Sequence, residues 1–391
     1  MAKATIPFPH KLVLNRFMLS LFGADVFNLD IDPFREMSRR LIDESLELTD
    51  KEGNSAYYHE ILGLLPDSSI LTPELLLEFD ENIQRHTRQI NEKRYPQIRW
   101  KYFQYLTLLF TEVYLDWYFR DPDDLLEALN QHLDQFNQSL SEWGEKKASL
   151  LKPFTQEQLK KLAYWNATGS GKTLLMHVNL LQYKHYLKKH RKEHELNRII
   201  VLTPNEGLTH QHLDEFKLSG ITASEFSKVV KGSMRYGDSI IDVIDMNKLK
   251  EEGKKKTVSV DQFEQNNLVL IDEGHRGAKG DVWSDMRERL AREGFTFEYS
   301  ATLGQAVGST PKLADEYAKA ILFDYSYRYF HADGFGKDFQ ILNIDADDSS
   351  EADRQNRQLY LTACLLSFYQ QSRVYAENKA KYKAFDLGKP L

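Results

Sequence analysis

The stretch "YWNATGSGKTLL", residues 164–175, constrains this chain more than any other. A loop that wraps an anion must aim several backbone N–H groups inward, so it needs residues that allow close approach and positive φ. Gly169, Ser170 and Gly171 meet that need, with Thr168 in the same turn. Lys172 can then reach the outer phosphates of a nucleotide, and Thr173 can place a hydroxyl on Mg²⁺. "TLLMHVNLLQYKHYL" supplies a helix whose N-terminus faces the anion. The apolar run "LAYW" just before the loop reads as the strand that must feed it. The strict pattern carries Gly six residues ahead of the lysine, where this chain has Asn166. A surface loop that spells GSGKT by chance needs neither the strand nor the helix. The reading is a site for ATP and Mg²⁺.

A nucleotide engine also needs carboxylates at the end of a buried strand. "NLVLIDEGH" has the required form, about 100 residues further on. Leu268 to Ile271 read as an apolar strand, with Asp272 at its carboxyl end to hold Mg²⁺ through water and Glu273 placed to polarise the attacking water. Two adjacent carboxylates at a strand end are costly without a cation or a catalytic use, although a strand-terminating acidic turn has the same composition. In "YSAT", Ser300 and Thr302 end another apolar run, where short hydroxyls can bond His275 and the carboxylates and so couple nucleotide state to the rest of the domain.

From about residue 151, short apolar runs ("LAYW", "RIIVLTP", "IIDVIDM", "NLVLIDE", "FTFEYSAT") alternate with helical patterns, the signature of a parallel sheet covered on both faces. "AKAILFDYS" is ambiguous between helix and strand, "DFQILNID" reads as a strand, and residues from about 351 to 385 read as one long helix with Leu359, Ala363, Leu366 and Tyr369 on one side. Residues 1–150 read as mainly helical. There, Ile98, Tyr102, Tyr105, Leu109, Val113 and Trp117 recur at the spacing of one buried helix face. Just before it, Lys93, Arg94, Arg99 and Lys101 mix with Tyr95 and Trp100, which suits either base stacking with phosphate contacts or a core edge with a solvated rim.

Taken together, "ATGSGKT", "VLTPNEGLTHQHLDEF", "LIDEGHRG" and "YSAT" resemble the first motor domain of superfamily 2 DEAD/DEAH-like helicases, over roughly residues 155–305. The helicase-type loop is the shorter form found here. The wording "TPNEGL…QH" and "DEGHRG" is most similar to restriction subunits of type III restriction-modification enzymes and related phage-defence helicases. That resemblance implies an α/β fold, a RecA-like P-loop parallel-sheet motor domain at 151–345 with a helical bridge at 346–391 toward a second motor domain, while the helical domain 1–150 is an addition that maps onto no part of the family. It implies a nucleic-acid-dependent ATPase, helicase or translocase, with Thr203, Pro204 and Asn205 against the nucleic-acid backbone and DNA favoured over RNA. A turn capped by Asn205 would explain the same residues without nucleic acid. An adenine-reading glutamine would be Gln156 or Gln158, and the residues do not choose between them. Such motors need a second motor domain that supplies arginine fingers. No motif for one follows Thr302, so the expectation is an N-terminal fragment with little turnover alone, and the resemblance allows a partner subunit of a restriction or defence complex. An ATP-operated regulatory switch is the alternative; a P-loop kinase would need an acceptor pocket and lid arginines that cannot be located.

Composition excludes other classes. Hydrophobic residues at 41% and charged residues at 28% describe an ordinary folded chain, and a net charge of −7 leaves only local cationic patches for gripping nucleic acid. The single cysteine, Cys364, forms no internal disulfide, and no Cys/His cluster has zinc spacing. With no secretory leader pattern or membrane-length apolar run, the expected location is the cytoplasm.

Overall fold

The apolar runs of the sequence become β1 (Lys161–Asn166), β2 (Ile199–Thr203), β4 (Ile241–Asp245), β5 (Leu268–Asp272) and β6 (Phe295–Ser300). Two further strands, β3 (Ala223–Glu225) and β7 (Ile321–Tyr325), complete a seven-stranded sheet in the order β3-β4-β2-β5-β6-β1-β7. Every pairing is parallel. Strands β2, β5, β6 and β7 are buried at every position; β2 and β5 accordingly read as continuous apolar runs, whereas β6 buries Thr296, Glu298 and Ser300 between its aromatic residues. The architecture is the α/β, RecA-like sheet that the motifs imply. The computed structural model describes residues 6–67, 69–226, 240–249, 260–274, 281–307, 310–336 and 350–384.

One ambiguity resolves once packing is seen. "AKAILFDYS" divides into the end of the helix Pro311–Ala320 and β7. The edge strand β3 is too short and too polar to stand out in the sequence. The strand expected at 338–345 lies outside the described residues.

The helix Tyr102–Arg120 differs from its expected form. Ile98 precedes it, and its residues are buried on all sides rather than on one face. Its positions are apolar nearly all round, so it is enclosed by neighbours on every side. Phe103 stacks on Tyr325 of β7 with ring centroids 3.8 Å apart, and Phe110 meets Phe323 edge-on at 5.5 Å. On another side, Gln182 of the helix Lys172–Lys189 donates to the Leu108 carbonyl at 2.9 Å. The helical N-terminal region and the sheet therefore share one hydrophobic core. They form a single compact unit, Met1–Gly336, and the chain does not part near residue 150.

The second unit, Lys337–Leu391, contains the helix Ser350–Glu377 and a shorter one, Lys379–Ala384, separated at Asn378. Leu359, Leu366 and Tyr369 are exposed on the long helix. Among the described residues, no helix is long and apolar enough to cross a membrane.

Candidate functional site

Parallel strands leave their carboxyl ends on one edge of the sheet, and the candidate residues gather there. The register pairs Trp165 of β1 with Ser300 of β6, and Asp272 of β5 with Tyr299 of β6. Because β6 lies between β1 and β5, the loop after Ser300 emerges between the phosphate loop and the carboxylates.

The loop 167–171 turns through Gly169 at φ +86° and Gly171 at φ +90°, both in the left-handed region that its composition requires. Gly171 caps the helix that begins at Lys172. Among the described residues, the backbone N–H groups of Gly169, Gly171, Lys172 and Thr173 donate to no protein acceptor, while Ser170 N–H closes the turn on the Ala167 carbonyl at 3.2 Å. Four such groups at a helix N-terminus suit a polyphosphate. Lys172 Nζ lies 3.4 Å from the carbonyl oxygens of Asn166 and Ala167 and 3.7 Å from Glu273 Oε1. Cation and carboxylate thus come together as the motif spacing implies. The Asn166 side-chain amide is buried with no partner among the described residues.

Asp272 ends β5 with both oxygens engaged. Oδ1 accepts from Glu273 N–H at 3.0 Å, and Oδ2 lies 3.0 Å from His212 Nε2. His212, on the helix Glu206–Leu218, was not among the expected site residues, though it stands in the "QH" of the motif that carries the family likeness. Glu273 adopts φ +53°, a left-handed conformation that a non-glycine residue holds only when its surroundings enforce it. The enforcement comes from below. A Cβ on Gly274 would fall 2.2 Å from Glu298 Cγ, and Gly274 O accepts from Arg287 Nη1 at 3.0 Å. Glu298 is itself immobile, held by Lys161 at 3.0 Å, Arg287 at 3.5 Å and Tyr317 Oη at 2.5 Å. Burial alone would raise its carboxyl, but Lys161 and Arg287 outweigh burial and hold it down at about 2. Gly274→Ala should therefore tilt the turn that carries Glu273. The expected result is a loss of about 1–3 kcal/mol in stability from overpacking. Turnover should fall further than nucleotide affinity, as checked by denaturant unfolding beside binding and rate measurements.

The other candidates fall into place unevenly. Ser300 Oγ accepts from Thr302 N–H at 3.1 Å, and Thr302 Oγ1 is buried without a partner among the described residues. His275 lies outside the described residues. Thr203 is fully buried, its hydroxyl 2.6 Å from that of Thr209, and Asn205 caps the next helix by accepting from Leu208 N–H at 3.0 Å. Pro204 O accepts from Asn247 Nδ2 at 3.2 Å. This segment is thus a capped strand-to-helix turn whatever else it contacts. Gln156 bonds Asp123, while Gln158 accepts from Thr155 N–H at 3.0 Å. In the cationic stretch, Trp100 is buried with Nε1 donating to Thr87 Oγ1 at 2.7 Å, so it stacks on no base. Arg94 binds Glu215 at 2.8 Å and Lys101 binds Glu47 at 3.0 Å. Tyr95, by contrast, is fully exposed.

Residues 125–305 match the family described as type III restriction enzyme, res subunit. The matched segment is similar to that family and covers a little under half of the chain. It takes in every candidate site residue, from the phosphate loop to Thr302, and leaves out the helix Tyr102–Arg120 and β7. Among solved structures, the Sulfolobus solfataricus SWI2/SNF2 ATPase core in complex with dsDNA is similar at 16% identity and a TM-score of 0.26, over 44% of this chain and 34% of that one. The match thus spans about a third of that structure's chain. No curated protein matches.

Proposed function

We propose that this chain binds Mg·ATP in the 167–173 loop and that the protein couples ATP hydrolysis to movement on nucleic acid, DNA ahead of RNA, in DNA restriction or phage defence. The observation that carries the reading is the meeting of Lys172 Nζ and the Glu273 carboxylate at 3.7 Å across a loop in which four N–H groups have no protein acceptor among the described residues. The backbone groups of Gly169, Gly171, Lys172 and Thr173 would hold the phosphates, and Thr168 and Ser170 would complete the loop around them. Thr173 and Asp272 would hold Mg²⁺, which supplies charge neutralisation to phosphoryl transfer when bound. Lys172 balances negative charge on the outer phosphates, and Glu273 orients and deprotonates the attacking water. Asp272 keeps its position through His212, and Ser300 and Thr302 stand where the state of the site can reach the rest of the domain. Thr203, Pro204 and Asn205 would meet the nucleic-acid backbone at the same edge of the sheet.

The test is titration with fluorescent ATP, with and without Mg²⁺, followed by ATP turnover with single- and double-stranded DNA and with RNA. Mg²⁺-dependent binding is expected, with turnover stimulated by DNA. Binding without any response to nucleic acid would instead identify a regulatory switch, and no Mg·ATP binding at all would end the ATP reading.

A further inference from the structure

The phosphate loop is touched by a residue outside the family match. Gln104, in the first turn of the helix Tyr102–Arg120, donates from Nε2 to the Ser170 carbonyl at 2.8 Å. Its orientation is fixed at the other end, because Gln104 Oε1 accepts from Lys101 N–H at 2.9 Å. The amide therefore presents N–H₂, not oxygen, to the loop. The contact is close enough that a Cβ on Gly171 would lie 2.5 Å from Gln104 Nε2.

A trans peptide unit is planar, with C=O and N–H pointing in opposite directions. Drawing the Ser170 oxygen outward toward Gln104 turns the Gly171 N–H to the opposite side, where it joins the loop donors that have no acceptor among the described residues. The start of the helix is anchored to the same region. Phe103 stacks on Tyr325, whose carbonyl accepts from Ala167 N–H at 2.9 Å. Tyr102 and Tyr325 both bond Asp333, which Arg35 also binds at 2.5 Å. Gln104 is thus held from the helix side and is not a mobile surface side chain resting on the loop.

We infer that Gln104 is a positioning residue of the nucleotide site: its amide sets the Ser170–Gly171 peptide so that the Gly171 N–H faces the phosphates. The inference rests on the ATP reading above and gives the helical N-terminal region a part in it. Gly171 is then glycine for two reasons, its φ and the seat it leaves for Gln104.

Gln104→Glu separates positioning from mere support. Glutamate keeps the length and the acceptor for Lys101 N–H, and an acid in the first helical turn suits the helix. It removes the donor and sets an acceptor against the Ser170 carbonyl. The variant should melt with the wild type yet bind fluorescent Mg·ATP roughly tenfold more weakly or worse, the effect of one misdirected charge-facing hydrogen bond. Gln104→Ala, which loses cap and donor together, should weaken binding as well and serves if the glutamate variant does not fold. Lys172→Ala is measured beside them. Wild-type affinity in either Gln104 variant, with binding lost in Lys172→Ala, would overturn the role of Gln104 and leave the ATP site standing. Unchanged binding in Lys172→Ala would overturn the ATP reading itself and this inference with it.

Discussion

Glu273→Gln should leave Mg·ATP bound and almost unhydrolysed. Glutamine keeps the volume of the side chain and can still bond from the same place, but it cannot take a proton. Loss of a positioned general base costs about 10²–10⁴ in rate. Binding should change little, because on the proposed reading the phosphates would be gripped by backbone N–H groups and Lys172, not by Glu273. Removing the negative charge 3.7 Å from Lys172 Nζ even frees the lysine for the nucleotide. The competing account is that Glu273 is structural, a residue whose left-handed backbone merely turns the chain at the end of β5. The two differ in what a single-turnover experiment shows. A catalytic base predicts tight binding with slow chemistry. A structural residue predicts equal losses in affinity and rate, together with a lower melting temperature.

What the sequence made legible follows from how local each feature is. The glycine turn before the helix Lys172–Lys189 could be read because positive φ at Gly169 and Gly171, a cation and a helix start are all written within a few residues. The carboxylates could be read because a parallel strand announces itself as an apolar run and ends at Asp272. The capping role of Asn205 was equally local. Other parts depend on residues far apart in the chain. Nothing near Gln104 marks it as a neighbour of Ser170, since the contact exists only after the helix Tyr102–Arg120 has packed on β7 and the helix Lys172–Lys189. The same holds for Gly274, whose lack of a side chain has meaning only beside Glu298. The expected boundary near residue 150 is of the same kind. A change from helical to alternating pattern marks a change of local structure, and it does not say whether the two parts bury their apolar surfaces separately or together. Here they share one core, since Phe103 and Phe110 supply part of the cover that β7 needs.

Lys172→Ala should abolish ATP-dependent function while the fold survives. The ammonium is the cation of the phosphate loop, and in phosphate-loop ATPases the lysine is the group that reaches the outer phosphates. An alanine leaves the backbone N–H groups of the loop in place but removes the charge that balances the developing negative charge at the transferred phosphoryl group. The loss in turnover should exceed about 10²-fold, the scale on which a single electrostatic stabiliser of a transition state acts. Folding depends little on the same side chain. Its two bonds to the Asn166 and Ala167 carbonyls are long at 3.4 Å, and its ion pair with Glu273 is longer still at 3.7 Å. Interactions so stretched contribute little. Alanine also suits the first position of the helix Lys172–Lys189 better than lysine does. Thermal unfolding should therefore shift by no more than a few degrees, about what 1 kcal/mol moves a domain of this size. The measurements are melting temperature, Mg·ATP affinity and turnover on one preparation. Normal turnover would mean that the 167–173 loop is not the nucleotide site. A collapse of melting temperature in step with affinity would instead show Lys172 holding the loop together, a role its long contacts argue against.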